Sequence, residues 1–106
     1  MSKRVYLSGP ITGTNDYRER FAFSERKIRT ELCYGNVEPE TVNPVILGDL
    51  IPSASYNEIM RLCFEVLEMC DAIIMLPGWE KSKGCNQEYG FAKALGKEIY
   101  LWEELF

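Results

Sequence analysis

The chain contains no histidine. Imidazole is therefore unavailable as a general base, a metal ligand or a pH-sensitive group. Serine–histidine and cysteine–histidine catalysis are excluded, and so are zinc sites that use histidine. The four cysteines, Cys33, Cys63, Cys70 and Cys85, form no Cys-x-x-Cys pair, so a cysteine-only zinc site lacks the usual ligand spacing. No run of about 18 apolar residues occurs, and no signal-type apolar segment follows Met1-Ser2-Lys3-Arg4. The expectation is a cytoplasmic protein with free thiols. Basic residues are outnumbered 12 to 16, for a net charge of -4. Duplex nucleic acid needs a basic face to neutralise its phosphates, so neither a nucleic acid polymer nor a membrane is an expected partner. A small anion remains open, because a few amides and lysines suffice for one phosphate. Acid–base chemistry falls to carboxylates, a tyrosine or a thiol.

What is present is ordinary for a folded chain. Of 106 residues, 46% are apolar and 12% aromatic, too many aromatics for a disordered segment. The length suits one domain, 1–106, because two separate cores would each be too small. No repeat, linker or low-complexity tract divides it.

Arg4 to Ser8 reads as a short strand, ended by Gly9-Pro10 and Gly13. Thr14, Asn15 and Asp16 are good capping types for a helix reaching to about Cys33, with Tyr17, Phe21, Ile28 and Leu32 at helical spacing and Gly35-Asn36 as its stop. Val37 to Asn43 reads as a second strand, weakened by Pro39, and Pro44 to Pro52 as a loop. Ser53 or Ser55 can cap a helix from about Tyr56 to Met69, with Ile59, Leu62, Cys63, Val66, Leu67 and Cys70 on one face. On that face Cys63 and Cys70 act as small hydrophobes. Asp71 to Leu76 is a continuous apolar run of the kind buried on both faces of a parallel sheet. A helix from Lys83 to Leu95, closed by Gly96, leads to a last strand, Glu98 to Trp102; Glu103 to Phe106 is too short for an element. The order β-α-β-α-β-α-β implies an α/β, three-layer, Rossmann/flavodoxin-like sandwich on four parallel strands. Ligands of such sheets bind at the carboxyl ends of the strands. Here these are Ser8-Gly9-Pro10, Asn43-Pro44 and Pro77-Gly78, which should crowd around one crevice.

Three segments could carry chemistry. Tyr6 to Gly13 (YLSGPITG) is a glycine-rich turn from a strand to a helix start, where backbone amides and the helix dipole can hold an anion. It lacks the Walker A ending and the Gly-x-Gly-x-x-Gly spacing, and it equally suits a plain tight turn. Ser82-Lys83-Gly84-Cys85-Asn86-Gln87-Glu88 opens the third helix. Ser82 can cap or bind a ligand, Gly84 lets one approach, and Glu88 shares a face with the small residues Gly84 and Ala92. An exposed helical glutamate is the commoner outcome. Asp71, ahead of a buried strand, suits a structural cap or pair as well as a catalytic role.

Together the segments resemble the nucleoside 2-deoxyribosyltransferase-like superfamily, and within it a small phage- and bacteria-associated branch. The likeness runs through Tyr6-Leu7-Ser8-Gly9-Pro10, Asn43-Pro44, Met60-Arg61, Cys70-Asp71, Leu76 to Glu80, Ser82-x-Gly84, Glu88 and Ala94-Leu95-Gly96. It implies an enzyme that cleaves the N-glycosidic bond of a nucleoside or nucleotide. Glu88 would be the nucleophile, Tyr6 the residue that orients it. Ser82 matches the serine by which the 2′-deoxynucleoside 5′-monophosphate N-glycosidases hold phosphate, where the nucleoside transferases tend to carry aspartate. Ser8, Gly9, Pro10, Ile11, Thr12 and Gly13, with Asn43, Pro44, Cys63, Pro77, Gly78 and Gly84, would bind substrate. The resemblance places an aspartate eight residues before Asp71, as acid–base partner of the departing base; this chain has Cys63 there, a poor substitute. It also implies a homodimer or larger assembly and no metal or other cofactor. A catalytically weak nucleotide-binding module of the same fold is the alternative.

Overall fold

The computed structural model describes residues 3–32 and 38–106. Strand β1 (Arg4–Ser8) alternates strictly. Val5 and Leu7 enter one apolar cluster and Tyr6 enters the other, while Ser8 is buried on the face of Tyr6, as a period of two requires. Strand β3 (Ala72–Met75) is buried along its whole length, the signature of a strand covered on both faces. With β2 (Glu40–Val42) and β4 (Glu98–Leu101) these form one parallel sheet in the order β2-β1-β3-β4. Val5 lies opposite Ala72 and Ser8 opposite Met75; Met75 in turn lies opposite Leu101.

Helix α1 (Tyr17–Glu31) covers one face through Phe21 and Ile28. On the other face lie α3 (Tyr56–Glu68), through Cys63 and Leu67, and α4 (Lys83–Ala94), through Cys85 and Ala92. Helices on both sides of a parallel sheet make the expected α/β sandwich. The helix starts are well specified. Ser55 rather than Ser53 caps α3, in a reciprocal box: its hydroxyl accepts from the Glu58 amide (3.2 Å) and the Glu58 carboxylate accepts from the Ser55 amide (2.8 Å). Ser82 caps α4, accepting from the Cys85 amide at 3.3 Å. Asp16 stands at the start of α1 but turns its carboxylate to Arg20 instead.

Three expectations need correction. Residues 44–52 are not all loop: Val45–Leu50 form helix α2. Asn43 accepts from the Val45 amide (3.1 Å) in a local turn, and Pro44 at the helix entry already holds a helical φ of -73°. Strand β2 is only three residues long, beginning after Pro39 with the Glu40 amide donating to the Lys3 carbonyl at 2.9 Å. The chain end does form an element, the single turn α5 (Trp102–Leu105), where Trp102 packs on Phe106 with ring centroids 4.4 Å apart. The expected stop at Gly35-Asn36, Cys33 and the start of the second strand at Val37 lie outside the described residues. Among the described residues, no helix is long and apolar enough to cross a membrane.

The chain leaves β1 to one side for β2 and returns on its other side as β3. That reversal opens a crevice beyond the carboxyl ends of β1 and β3. Gly9 sits at its edge with no room for a side chain. A Cβ there would stand 2.9 Å from Leu76 Cδ1 and 3.2 Å from Phe21 Cζ. Gly9→Ala should lower unfolding stability by about 1–3 kcal/mol, the usual cost of overpacking; a denaturant melt unchanged within error would refute this.

Candidate active site

Glu88 lies on the inner face of α4, in the same stripe as Cys85 and Ala92. Only 6% of it is exposed, so the exposed-glutamate expectation does not hold here. Both carboxylate oxygens are engaged from β1. The Tyr6 hydroxyl donates to Oε2, and the Ser8 hydroxyl donates to Oε1 at 2.7 Å. Tyr6 and Ser8 are themselves fully buried. Burial pushes the Glu88 carboxyl above the usual range, and the bonds from Tyr6 and Ser8 partly oppose this. Burial, reinforced by the Glu88 charge, holds the Tyr6 phenol well above its ordinary value, so Tyr6 keeps its proton and acts as a donor.

Glu88 forms part of the wall of a cavity of about 680 Å³, within the range of small-molecule sites. Gly9, Ile11 and Thr12 line one side, and Ser82, Gly84 and Cys85 at the start of α4 line another. Pro44 and α2 contribute a third side, and Tyr56, Ile59, Met60 and Cys63 of α3 a fourth. Gly84 keeps α3 and α4 close, since a Cβ there would stand 3.3 Å from the Tyr56 hydroxyl and 3.5 Å from Met60 Sδ. Cys63 is buried against Tyr6, and burial raises its thiol to about 11.

The cavity therefore joins Glu88, Gly9, Ile11, Thr12, Pro44, Cys63, Ser82 and Gly84 from the expected set, with Tyr6 and Ser8 directly behind Glu88. The remaining expected substrate contacts do not line it. The Pro10 carbonyl accepts from Arg20 (2.8 Å), and Asn43 is occupied in the turn before α2. Gly13 and Gly78 adopt positive φ, 80° and 88°, and serve the turns that leave β1 and β3. Pro77 stands with Gly78 in that second turn, and the chain then reaches the cavity only through the short helical turn Trp79–Lys81. Asp71 sits at the opposite end of the sheet, accepting from the Arg4 amide at 2.8 Å, a structural role.

Sequence reasoning missed other lining residues. Tyr56 and Met60 precede Cys63 at helical spacing on α3, which reads equally well as core. Arg18 and Asp49 form a two-pronged ion pair across the cavity rim, one contact at 2.7 Å. Hydrogen bonding from Arg18 holds the Asp49 carboxyl below its usual range, so Asp49 is an ionised carboxylate and not a proton donor. No local signal reveals the pair, because its members stand 31 residues apart and α2 itself is not evident from the sequence. Lys81 and Lys83 also line the cavity, which makes its rim less acidic than the chain as a whole. Among the described residues, no group of three Cys, Asp or Glu side chains is arranged to hold a metal ion.

Comparison with curated proteins gives no match. Among solved structures, the 2-desoxiribosyltransferase from Leishmania mexicana is similar, with a TM-score of 0.61 and 25% identity. The match covers 93% of this chain and 63% of that one. The family model described as "Domain of unknown function (DUF4406)" matches residues 3–101. That match and the shared fold place the chain in the DUF4406 family, one of the families of the nucleoside 2-deoxyribosyltransferase-like superfamily.

Proposed function

We propose that the protein cleaves or transfers the N-glycosidic bond of a nucleoside or, by preference, a nucleoside 5′-monophosphate, with Glu88 as nucleophile. The observation that carries this reading is the buried Glu88 carboxylate at the cavity wall, held through both oxygens by Tyr6 and Ser8. A nucleoside-related role also fits the structural similarity to a 2-desoxiribosyltransferase. In the first step a Glu88 oxygen bonds to C1′ of the sugar. The bond from C1′ to the base nitrogen breaks, its electron pair leaves with the base, and the base takes up a proton. In the second step water, or a nitrogen of another base, attacks C1′, gives up its proton to solvent and releases the carboxylate. A tyrosine that keeps its proton suits this cycle, because it donates to the carboxylate in the free enzyme and again when Glu88 leaves the sugar.

Phosphate recognition is assigned to Ser82 with the amides of Gly9, Ile11 and Thr12, which line the cavity. The Ser82 oxygen accepts from the Cys85 amide, which leaves the hydroxyl proton for a phosphate oxygen. The chemistry calls on no metal or other cofactor. The protein acts as a homodimer or larger assembly, a reading supported by Ile46 and Leu50 on α2, which are 58% and 68% exposed.

A second reading rests on Cys63. A thiol at about 11 is a weak acid for a departing base, so the protein would bind a nucleotide and turn it over little or not at all. Chromatography after incubation with nucleosides, nucleoside 5′-monophosphates and NAD⁺ separates the two. Release of free base, fastest from a 5′-monophosphate, is the expected result. Thermal stabilisation by one of these compounds without any release would replace the enzyme by the binding module.

A further inference from the structure

Ser8 belongs by sequence to the loop expected to contact substrate, but its side chain faces the other way. It is fully buried and does not line the cavity; its hydroxyl lies 2.7 Å from Oε1 of Glu88. It ends β1, and its carbonyl accepts from the Leu76 amide at 2.8 Å, so the sheet and not a loop sets its position. Tyr6, two residues earlier on the same face, takes Oε2. One strand thus aims two donors at the two oxygens of a carboxylate on a facing helix. Two donors satisfy the anion. The neutral acid would carry a proton on one of these oxygens and oppose the donor already there, Ser8 or Tyr6.

We propose that Ser8 is a positioning residue: by holding Oε1 while Tyr6 holds Oε2, it keeps Glu88 in one orientation and in its anionic form. The catalytic consequence rests on the function proposed above; the effect on Glu88 itself does not.

The test titrates Glu88 by isotope-edited infrared spectroscopy, using Glu88→Gln to assign its band, in the wild type, Ser8→Ala and Ser8→Thr. Without the Ser8 hydroxyl, Glu88 loses a bond that favours its charged form, so it should titrate at higher pH in Ser8→Ala and return toward the wild-type value in Ser8→Thr. The acidic limb of the rate profile should move the same way. On the acidic limb kcat should fall on the order of tenfold, the worth of a hydrogen bond to a charged group, and it should recover as pH rises. A Glu88 titration unmoved in folded Ser8→Ala overturns the proposal. If Ser8→Ala does not fold, Ser8→Cys, of similar size and a weaker donor, takes its place: an upward shift supports the proposal and none overturns it. A moved titration in a protein that releases no base upholds the role of Ser8 and removes the glycosidic reading instead.

Discussion

Glu88→Ala should abolish base release, with a loss on the order of 10³–10⁶-fold, the range expected when a nucleophile is removed. Other groups cannot take over. Among the cavity-lining residues the other carboxylate is Asp49, which is committed to Arg18 at the rim. Nucleotide binding should survive, because the phosphate is assigned to the loop after β1 and the start of α4. Folding should be affected in two opposed ways. Alanine leaves the Tyr6 and Ser8 hydroxyls facing a void, at a cost of about 1–3 kcal/mol for each unsatisfied group, but it also removes a carboxylate whose burial disfavours its charge. Glu88→Gln, nearly isosteric, therefore belongs beside it. Both variants should keep nucleotide-induced thermal stabilisation and lose turnover. Base release by either at a wild-type rate would end the assignment of Glu88.

Cys63→Asp is expected to act in the opposite direction, raising the rate of base release by about 10²–10⁴-fold, the typical worth of a positioned general acid. The position is suitable: residue 63 lines the cavity with Glu88 and lies against Tyr6. A carboxyl there would be buried, with Glu88 as a like charge nearby. Both influences raise its pKa and keep it protonated closer to neutral pH, as a donor to a leaving base must be. The gain should shrink as pH rises through the pKa of the new acid. Stability should fall, since a small apolar-behaving thiol in the core is exchanged for a polar group. The readout is kcat across a pH series on the best substrate of the wild type. A rate equal to that of wild type in a folded variant would mean that the cysteine is not what limits turnover.

The parts of the molecule that were legible in the sequence share a physical character. β1 and the apolar stripe of α3 are patterns repeated over enough residues to stand above chance, and the start of α4 is marked by Ser82 and the helix end by Gly96. α2 was not legible because six residues, one of them Gly48, between two prolines cannot show a helical period; a local turn at Asn43 makes it form. The burial of Glu88 is tertiary in origin. Nothing within α4 says that β1 will bring two hydroxyls against it; the face shared with Gly84 and Ala92 made this glutamate a candidate, and the resemblance gave it a role. The same limit explains Ser8, whose place beside Gly9 suggested a substrate contact, while the pleat of the strand turns it toward Glu88.

That pleat has a consequence for quality control of the folded protein. Residues 5 and 7 of β1 are packing, and residues 6 and 8 hold the carboxylate. A slip of the strand by one position would exchange the two sets, sending hydroxyls into the apolar layer under α1 and aliphatic groups toward Glu88. Such a molecule would remain collapsed and rich in helix, so bulk spectroscopy would pass it, yet it could not anchor its glutamate. The state of a single side chain on α4 thus serves as a built-in gauge of whether the sheet was threaded in the correct phase.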